Sequence, residues 1–200
     1  MNELLVFKVG IEGLEDKIWR EIEIPSRRTV ADLAYTILAT FDSLAYHLYN
    51  IKYKDYIFDC WVSVEDNPNY EDIKNATAIK LSSLELKDND ELKMEYDYGS
   101  TTNFKITFIC KKNLDSYNAY LYPKISDGFG RGMLDDMCDF ELKEIVDDTD
   151  KKGYSEFYVT PGYEKHEIYD YRKFNLKENN RKLKGMILEI KNGYEVSSFD

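Results

Sequence analysis

The chain is poor in the residues that build the commonest chemical sites. Its 200 residues include only two histidines, three cysteines and four prolines. Cys60, Cys110 and Cys138 are odd in number and far apart, and none belongs to a Cys-x-x-Cys pair. That pattern argues against a disulfide framework or a thiolate zinc centre, and for three reduced thiols packed as small hydrophobes. No run approaches the roughly 20 apolar residues that span a bilayer. Met1-Asn2-Glu3-Leu4-Leu5 lacks the basic start and apolar run of a signal peptide, so a cytoplasmic location is expected. Positive charge is scarce as well: 27 Lys and Arg stand against 38 Asp and Glu, a net charge of −11. Affinity for duplex phosphates comes from cations that neutralise them, so broad sequence-independent binding is disfavoured, while a local basic patch stays open.

What is present is enough to build a core: 43% of residues are hydrophobic and 14% aromatic. Residues 4–11 are short, apolar and β-branched, as in a strand with much of its surface buried. Over 18–24 the pattern alternates, with Arg20, Ile22 and Ile24 on one face and Trp19, Glu21 and Glu23 on the other; Pro25 closes this hairpin. Thr29 with Asp32 three residues on approaches a capping box, and Val30, Leu33, Ala34, Ile37, Leu38 and Phe41 follow at helical spacing. His47, Tyr49, Ile51 and Tyr53 alternate into a second hairpin, turned at Lys54-Asp55. Residues 65–78 look like a loop; a strand over Glu91–Tyr98 then turns back into Phe104–Cys110.

Beyond residue 112 the pattern is less regular. Asp127-Gly128-Phe129-Gly130 resembles a glycine-bearing loop, Leu134 to Val146 suggest a helix, and Asp147–Gly153 a polar break. Asn175 can cap a last helix, with Glu178 at its third position and Leu183, Ile187 and Ile190 on its apolar side. The expectation is therefore an α+β fold: a mixed, β-grasp-like sheet crossed by one helix, with a helical C-terminal extension. Residues 1–112 would form the core and 113–200 the extension packed on it.

Two motifs carry a resemblance. Ile18-Trp19-Arg20-Glu21-Ile22-Glu23-Ile24-Pro25 followed by Thr29-Val30-Ala31-Asp32-Leu33 is the first, and Leu92-Lys93-Met94-Glu95-Tyr96-Asp97-Tyr98-Gly99 the second. In combination they resemble the plasmid pRiA4b ORF-3-like family, some of whose members are described as mobile-element passenger proteins. Weaker echoes lie over Tyr122–Glu144 and Tyr169–Leu183. The resemblance implies a bacterial mobile-element or accessory-gene setting and brings no established activity. The family usually has a second histidine where Tyr49 stands here, and an acidic residue, a tryptophan and a histidine where Ser100 to Phe104 stand. Tyr49, Thr102 and Phe104 thus replace polar positions of relatives, and a site present there would be lost or altered.

Candidate binding residues are Trp19, Arg20, His47, Tyr96, Asp97 and Tyr98. Arg20 shares a face with isoleucines and needs a carboxylate partner, for which Asp97 is the expectation. Trp19 could be an exposed anchor or be covered by the second half of the chain. Asp97 and Gly99 can shape the hairpin turn, while His47 could hydrogen-bond structurally or act with Asp97 in a degenerate enzyme. Arg172, Lys173, Lys177, Arg181, Lys182 and Lys184, interleaved with Tyr169, Tyr171 and Phe174, form a basic and aromatic patch that could grip single-stranded nucleic acid. The acidic run from Asp135 to Asp150 lacks the spacing of an EF-hand and reads as a solvated helix face followed by a polar loop. No nucleophile elbow, zinc helix or phosphate loop is present, so no catalytic set, metal or cofactor is expected. The sequence favours a non-catalytic interaction protein with another protein as partner.

Overall fold

The structure, a computed structural model, describes residues 3–61, 72–132, 137–160 and 163–196, with main chain alone at residue 116 and over 156–160 and 163–169. β1 (Glu3–Ile11) and β2 (Trp19–Pro25) form the first antiparallel hairpin, with Leu4 opposite Pro25 and Gly10 opposite Trp19. α1 (Val30–Thr40) starts with the expected capping box: Thr29 Oγ1 accepts from the Asp32 N–H, and Asp32 Oδ2 from the Thr29 N–H, both at 3.1 Å. β3 (Tyr49–Tyr53) and β4 (Tyr56–Asp59) are the second hairpin, turned where Lys54 adopts a φ of +53°.

β5 (Ile73–Asn75) pairs in parallel with β4. It falls within the stretch read as a loop; 65–71 lie outside the described residues. Three residues are too few to show an alternation, so the sequence carried no sign of it. β6 (Glu91–Tyr96) and β7 (Thr102–Asn113) follow, then β8 (Lys124–Phe129), α2 (Asp139–Lys152), a separate hairpin of β9 (Ser155–Thr160) and β10 (Tyr163–Tyr169), and α3 (Leu176–Glu195). The main sheet has eight strands in the order β5-β4-β3-β6-β7-β1-β2-β8. The fold is α+β, a mixed open sheet that is antiparallel apart from β4–β5, crossed by α1 and extended by a C-terminal helix. β7, the strand expected over Phe104–Cys110, lies between β1 and β6.

α1 is a middle layer. All eleven of its residues are buried, because the sheet covers one side and α3 the other. Val30, Leu33, Ile37, Leu38 and the following Phe41 join Phe7, Val9, Ile22, Ile24, Phe104 and Phe108 in one core. Each large aliphatic side chain fully buried this way is worth roughly 1.5–3 kcal/mol. α3 contributes Leu183 and Ile190 to the core, with Ile187 and Tyr194 packed beside them. The outward sheet face is polar instead, laced by Lys52–Glu95, Lys93–Glu12 and Lys105–Glu91 pairs and by Lys112 and Lys124 converging on Glu23.

Three expectations for the second half are corrected. Asp127 to Phe129 belong to β8 rather than to a loop, with Arg20 opposite Gly128, and Gly130 follows with a φ of +80°. α2 begins at Asp139, with Met137 and Cys138 before it; Leu134 lies outside the described residues. It then continues through the presumed polar break to Lys152, because its buried stripe of Leu142, Val146 and Thr149 needs only every third or fourth residue. The acidic residues described in this run, from Asp139 onward, sit on that helix, while Asp135 and Asp136 lie outside the described residues.

β8 is an edge strand, and α3 covers its edge. Ile125, paired with Ile22 of β2, directs its main-chain groups to Asn180: its N–H donates to Oδ1 at 2.9 Å and its C=O accepts from Nδ2 at 2.8 Å. One side-chain amide thus stands in for a neighbouring strand.

Candidate functional site

Four of the six candidate binding residues meet near one end of β3 and β6. Tyr49 and Tyr96 are opposite one another in the β3–β6 ladder and wholly buried. Asp97 then takes a left-handed φ of +58°, its Oδ1 accepts from the Gly99 N–H at 3.0 Å, and its N–H donates to Leu48 O at 3.0 Å. These contacts are the turn-shaping role expected of an Asx residue. The same Oδ1 lies 3.7 Å from His47 Nδ1, whose ring meets the edge of Tyr96 at 5.9 Å between centroids. The Tyr96 hydroxyl accepts from the Tyr46 N–H at 3.1 Å. The bend at Asp97 brings Tyr98 over Asn50 and Asp59: its hydroxyl accepts from Asn50 Nδ2 at 3.2 Å and donates to Asp59 Oδ2 at 3.3 Å. His47, Tyr96 and Asp97 therefore form one cluster, and Tyr98 a neighbouring one.

A cleft of about 510 Å³ opens beside His47, lined by Ala45, Tyr46, Leu48, Cys60, Trp61, Gly193 and Tyr194. Tyr46 is 77% exposed and Trp61 67%. The floor is firmer: Tyr194 stacks on Tyr35 at 5.5 Å and meets Tyr49 edge-on at 5.2 Å, and its hydroxyl donates to His47 O. Cys60 Sγ accepts from the Tyr49 N–H at 3.2 Å. Burial pushes the Cys60 thiol up to about 12, so it is a neutral thiol near pH 7 and not a nucleophile. Burial likewise raises the phenols of Tyr35, Tyr49 and Tyr98. A hydrogen bond from Lys52, joined by one from Asn50, holds Glu95 below the usual carboxylate range.

An imidazole beside a carboxylate is half of an acid–base device, but at 3.7 Å His47 and Asp97 are farther apart than a hydrogen bond, and Asp97 is not among the residues that line the cleft. The thiol and phenols around the pair are engaged in structural contacts or pushed towards their protonated forms. The cleft can hold an apolar or aromatic group and, for three reasons, a cation. Asp59 and Asp97 stand just outside it, next to its lining residues Trp61 and His47, and rings of Tyr46 and Trp61 can face a positive charge. The C-terminal end of α3, where Gly193 and Tyr194 sit, has no basic residue in its last turn to offset its negative dipole.

Trp19 and Arg20 are elsewhere. Arg20 is fully buried on the α1 side of β2, and its partner is not Asp97. Its Nε donates to Thr40 O at 3.0 Å, and its Nη1 to Trp19 O and Phe129 O, both at 2.8 Å. Rings of Phe41 and Phe174 flank it at 4.9 and 4.1 Å. The C-terminal end of α1 offers main-chain carbonyl charge that suits a guanidinium. Arg20 is thus a structural tie between β2, β8 and α1. Trp19 is half-buried on the outward face, with Lys8 Nζ 4.8 Å above its ring and Phe129 opposite it in the ladder.

The basic and aromatic segment is dispersed. Arg172 pairs with Asp170 at 2.7 Å and donates to Gly153 O at 2.8 Å, Lys182 pairs with Asp42, and Lys184 donates to Tyr120 O. Lys173, Lys177 and Arg181 are exposed. The aromatic half faces inward: Tyr171 is buried and Phe174 packs under Arg20, while the Tyr169 side chain lies outside the described residues. Neither Tyr171 nor Phe174 therefore offers these cations a stacking platform. Of the cleft residues absent from the sequence reading, Tyr194 was within reach, since it continues the Ile187 and Ile190 stripe of α3. Tyr46, Cys60 and Trp61 carry no local pattern.

No curated protein is significantly similar to the chain. Among solved structures, a protein of unknown function from Methanosarcina mazei Go1 is similar in fold, with a TM-score of 0.67 and 19% identity over 89% of this chain and 98% of that one. Residues 3–178 match the family described as Plasmid pRiA4b ORF-3-like protein, which spans both motifs and the whole of the sheet, and the chain belongs to that family.

Proposed function

We propose that the protein is a non-catalytic interaction module of a bacterial accessory or mobile-element gene, and that it takes a lysine- or arginine-bearing segment of a partner protein into the cleft at His47. The observation that carries this reading is the cleft itself: exposed Tyr46 and Trp61, over a tyrosine floor, beside the uncompensated C-terminal end of α3. Exposed aromatic groups around a cleft are typical of recognition surfaces. A net charge of −11 and the nearby Asp59 and Asp97 favour a cationic partner and speed its approach. A cytoplasmic partner goes with this reading, and among the described residues no helix is long and apolar enough to cross a membrane.

Selection of short random peptides against the immobilised chain tests it. Enriched peptides should carry Lys or Arg next to an apolar residue and should lose binding to Trp61→Ala and Tyr46→Ala. Enrichment of acidic or uncharged peptides, or binding indifferent to both substitutions, would refute the proposal.

A further inference from the structure

A groove of about 670 Å³, larger than the cleft at His47, lies between α1 and α3, roofed by the Ser116–Leu121 turn, and its charge is opposite to that of the chain. Arg27, Arg28, Lys184 and Lys191 line it, and among the described residues Asp32 is the single carboxylate there. Asp32 is already occupied: Lys191 Nζ lies 3.2 Å from its Oδ1, and its Oδ2 caps α1. Lys191 also lies 3.6 Å from Glu195. The positive excess therefore rests on Arg27, Arg28 and Lys184. Among the described residues no carboxylate pairs with Arg27, and the buried Arg28 Nε has no hydrogen-bond partner. Arg28 Nη1 is 4.0 Å from Asp32, too long for a hydrogen bond.

The start of α1 cannot supply the donors, because its first N–H groups are taken by Ile79 O, Ala76 O and Thr29 Oγ1. Side-chain cations are what the groove offers an anion. Its remaining walls are apolar or aromatic: Tyr120, Tyr122, Pro123, Ile187 and Leu188. Cations at one side and flat or branched apolar surface at the other suit a ligand with one anionic group and one planar ring. Its volume lies within the roughly 300–1,000 Å³ of small-molecule sites.

We infer that this groove binds a small organic phosphate carrying a flat ring, with the phosphate held by Arg27, Arg28 and Lys184 and the ring lying against Tyr122 and Leu188. A guanidinium pair matches phosphate oxygens through directed donors, and Lys184 adds a point charge. The same chemistry is found in a free nucleotide and at the end of a nucleic-acid strand. The acidity of the chain as a whole penalises the longer polyanion.

Calorimetric titration of the full chain with the four ribonucleoside monophosphates, their nucleosides, inorganic phosphate and octathymidylate tests the inference. At least one monophosphate should bind with one-to-one stoichiometry, and its nucleoside and inorganic phosphate each at least about tenfold more weakly, since a charged hydrogen bond lost is worth about that factor or more. Arg27→Ala and Leu188→Glu should weaken the monophosphate by a similar factor. Both positions are exposed, so their melting temperatures should stay at the wild-type value. No monophosphate binding at millimolar concentration, equal binding of inorganic phosphate, binding of octathymidylate alone, or indifference to both substitutions would each overturn it. Trp61→Ala, in the other cleft, should leave this binding unchanged.

Discussion

Replacing Arg20 by methionine should cost much of the stability of the fold. The guanidinium is fully buried and donates to three main-chain carbonyls, of Trp19, Thr40 and Phe129. Bringing this cation out of water is expensive, so the bonds do not add up to their gross strength. The substitution is less forgiving than that balance implies, because it leaves the acceptors behind. Methionine fills similar volume but satisfies none of them, and each buried polar group left unpaired costs about 1–3 kcal/mol. Some of that is recovered by relaxation at the β2–β8 edge, and a net loss of about 3–5 kcal/mol is expected. For a chain of this size each kcal/mol moves the melting midpoint by roughly 2–4 °C, so the drop should be roughly 6–20 °C. Arg20→Lys keeps the charge but cannot reach three carbonyls from one nitrogen, and should recover only part of the loss. Circular dichroism melts of both variants check this. An Arg20→Met midpoint within about 2 °C of wild type, or full rescue by lysine, would refute the reasoning.

Other perturbations probe other parts of the structure. Burial opposes ionisation of Glu23, but hydrogen bonds from Lys112 and Lys124 outweigh it and leave its carboxyl below the usual range. The advantage of wild type over Glu23→Gln should be present above about pH 4.3, the unfolded carboxyl value, and should vanish as pH falls through the lower folded value. Denaturant midpoints that differ equally at every pH would contradict this. Asn180→Ala removes the amide that pairs with Ile125 and should cost about 1–3 kcal/mol by urea denaturation; no change would mean that β8 needs no cover. In Gly130→Ala the new methyl would lie 2.2 Å from Lys17 O in a backbone with φ of +80°, so the variant should melt lower or fail to fold, and unchanged melting would refute that contact. Cys60, with its thiol near 12, should be alkylated more slowly at pH 8 than free cysteine, as read by mass spectrometry of digests.

The first half of the chain was legible because its elements are amphipathic and capped. Thr29 with Asp32 placed α1, and the alternation of Arg20, Ile22 and Ile24 placed the α1-facing side of β2. The guanidinium partner was misread because carbonyls at a helix end have no signature in sequence. The second half was harder. β8 contains a glycine and an aspartate, and it exists as a strand because β2 pairs on one side and Asn180 on the other. The β9–β10 hairpin was missed, and α2 was expected from Leu134 to Val146, its last turns being read as a polar break because they are acidic and bury only Thr149. At the site, the Tyr-Asp-Tyr-Gly motif singled out the turn and His47 its neighbour. The cleft walls come from three distant segments at 45–48, 60–61 and 193–194, which only the folded sheet brings together.

The central claim is that the cleft at His47 accepts a cation beside apolar surface. The most direct measurement is a nuclear magnetic resonance titration of the nitrogen-15-labelled chain with N-acetyl-lysine amide, with N-acetyl-norleucine amide as the neutral counterpart. Saturable shifts at Tyr46, His47, the Trp61 indole and Gly193 with the lysine compound, and much smaller ones with norleucine, are the predicted result. Absent shifts, or equal shifts with both compounds, would contradict the account.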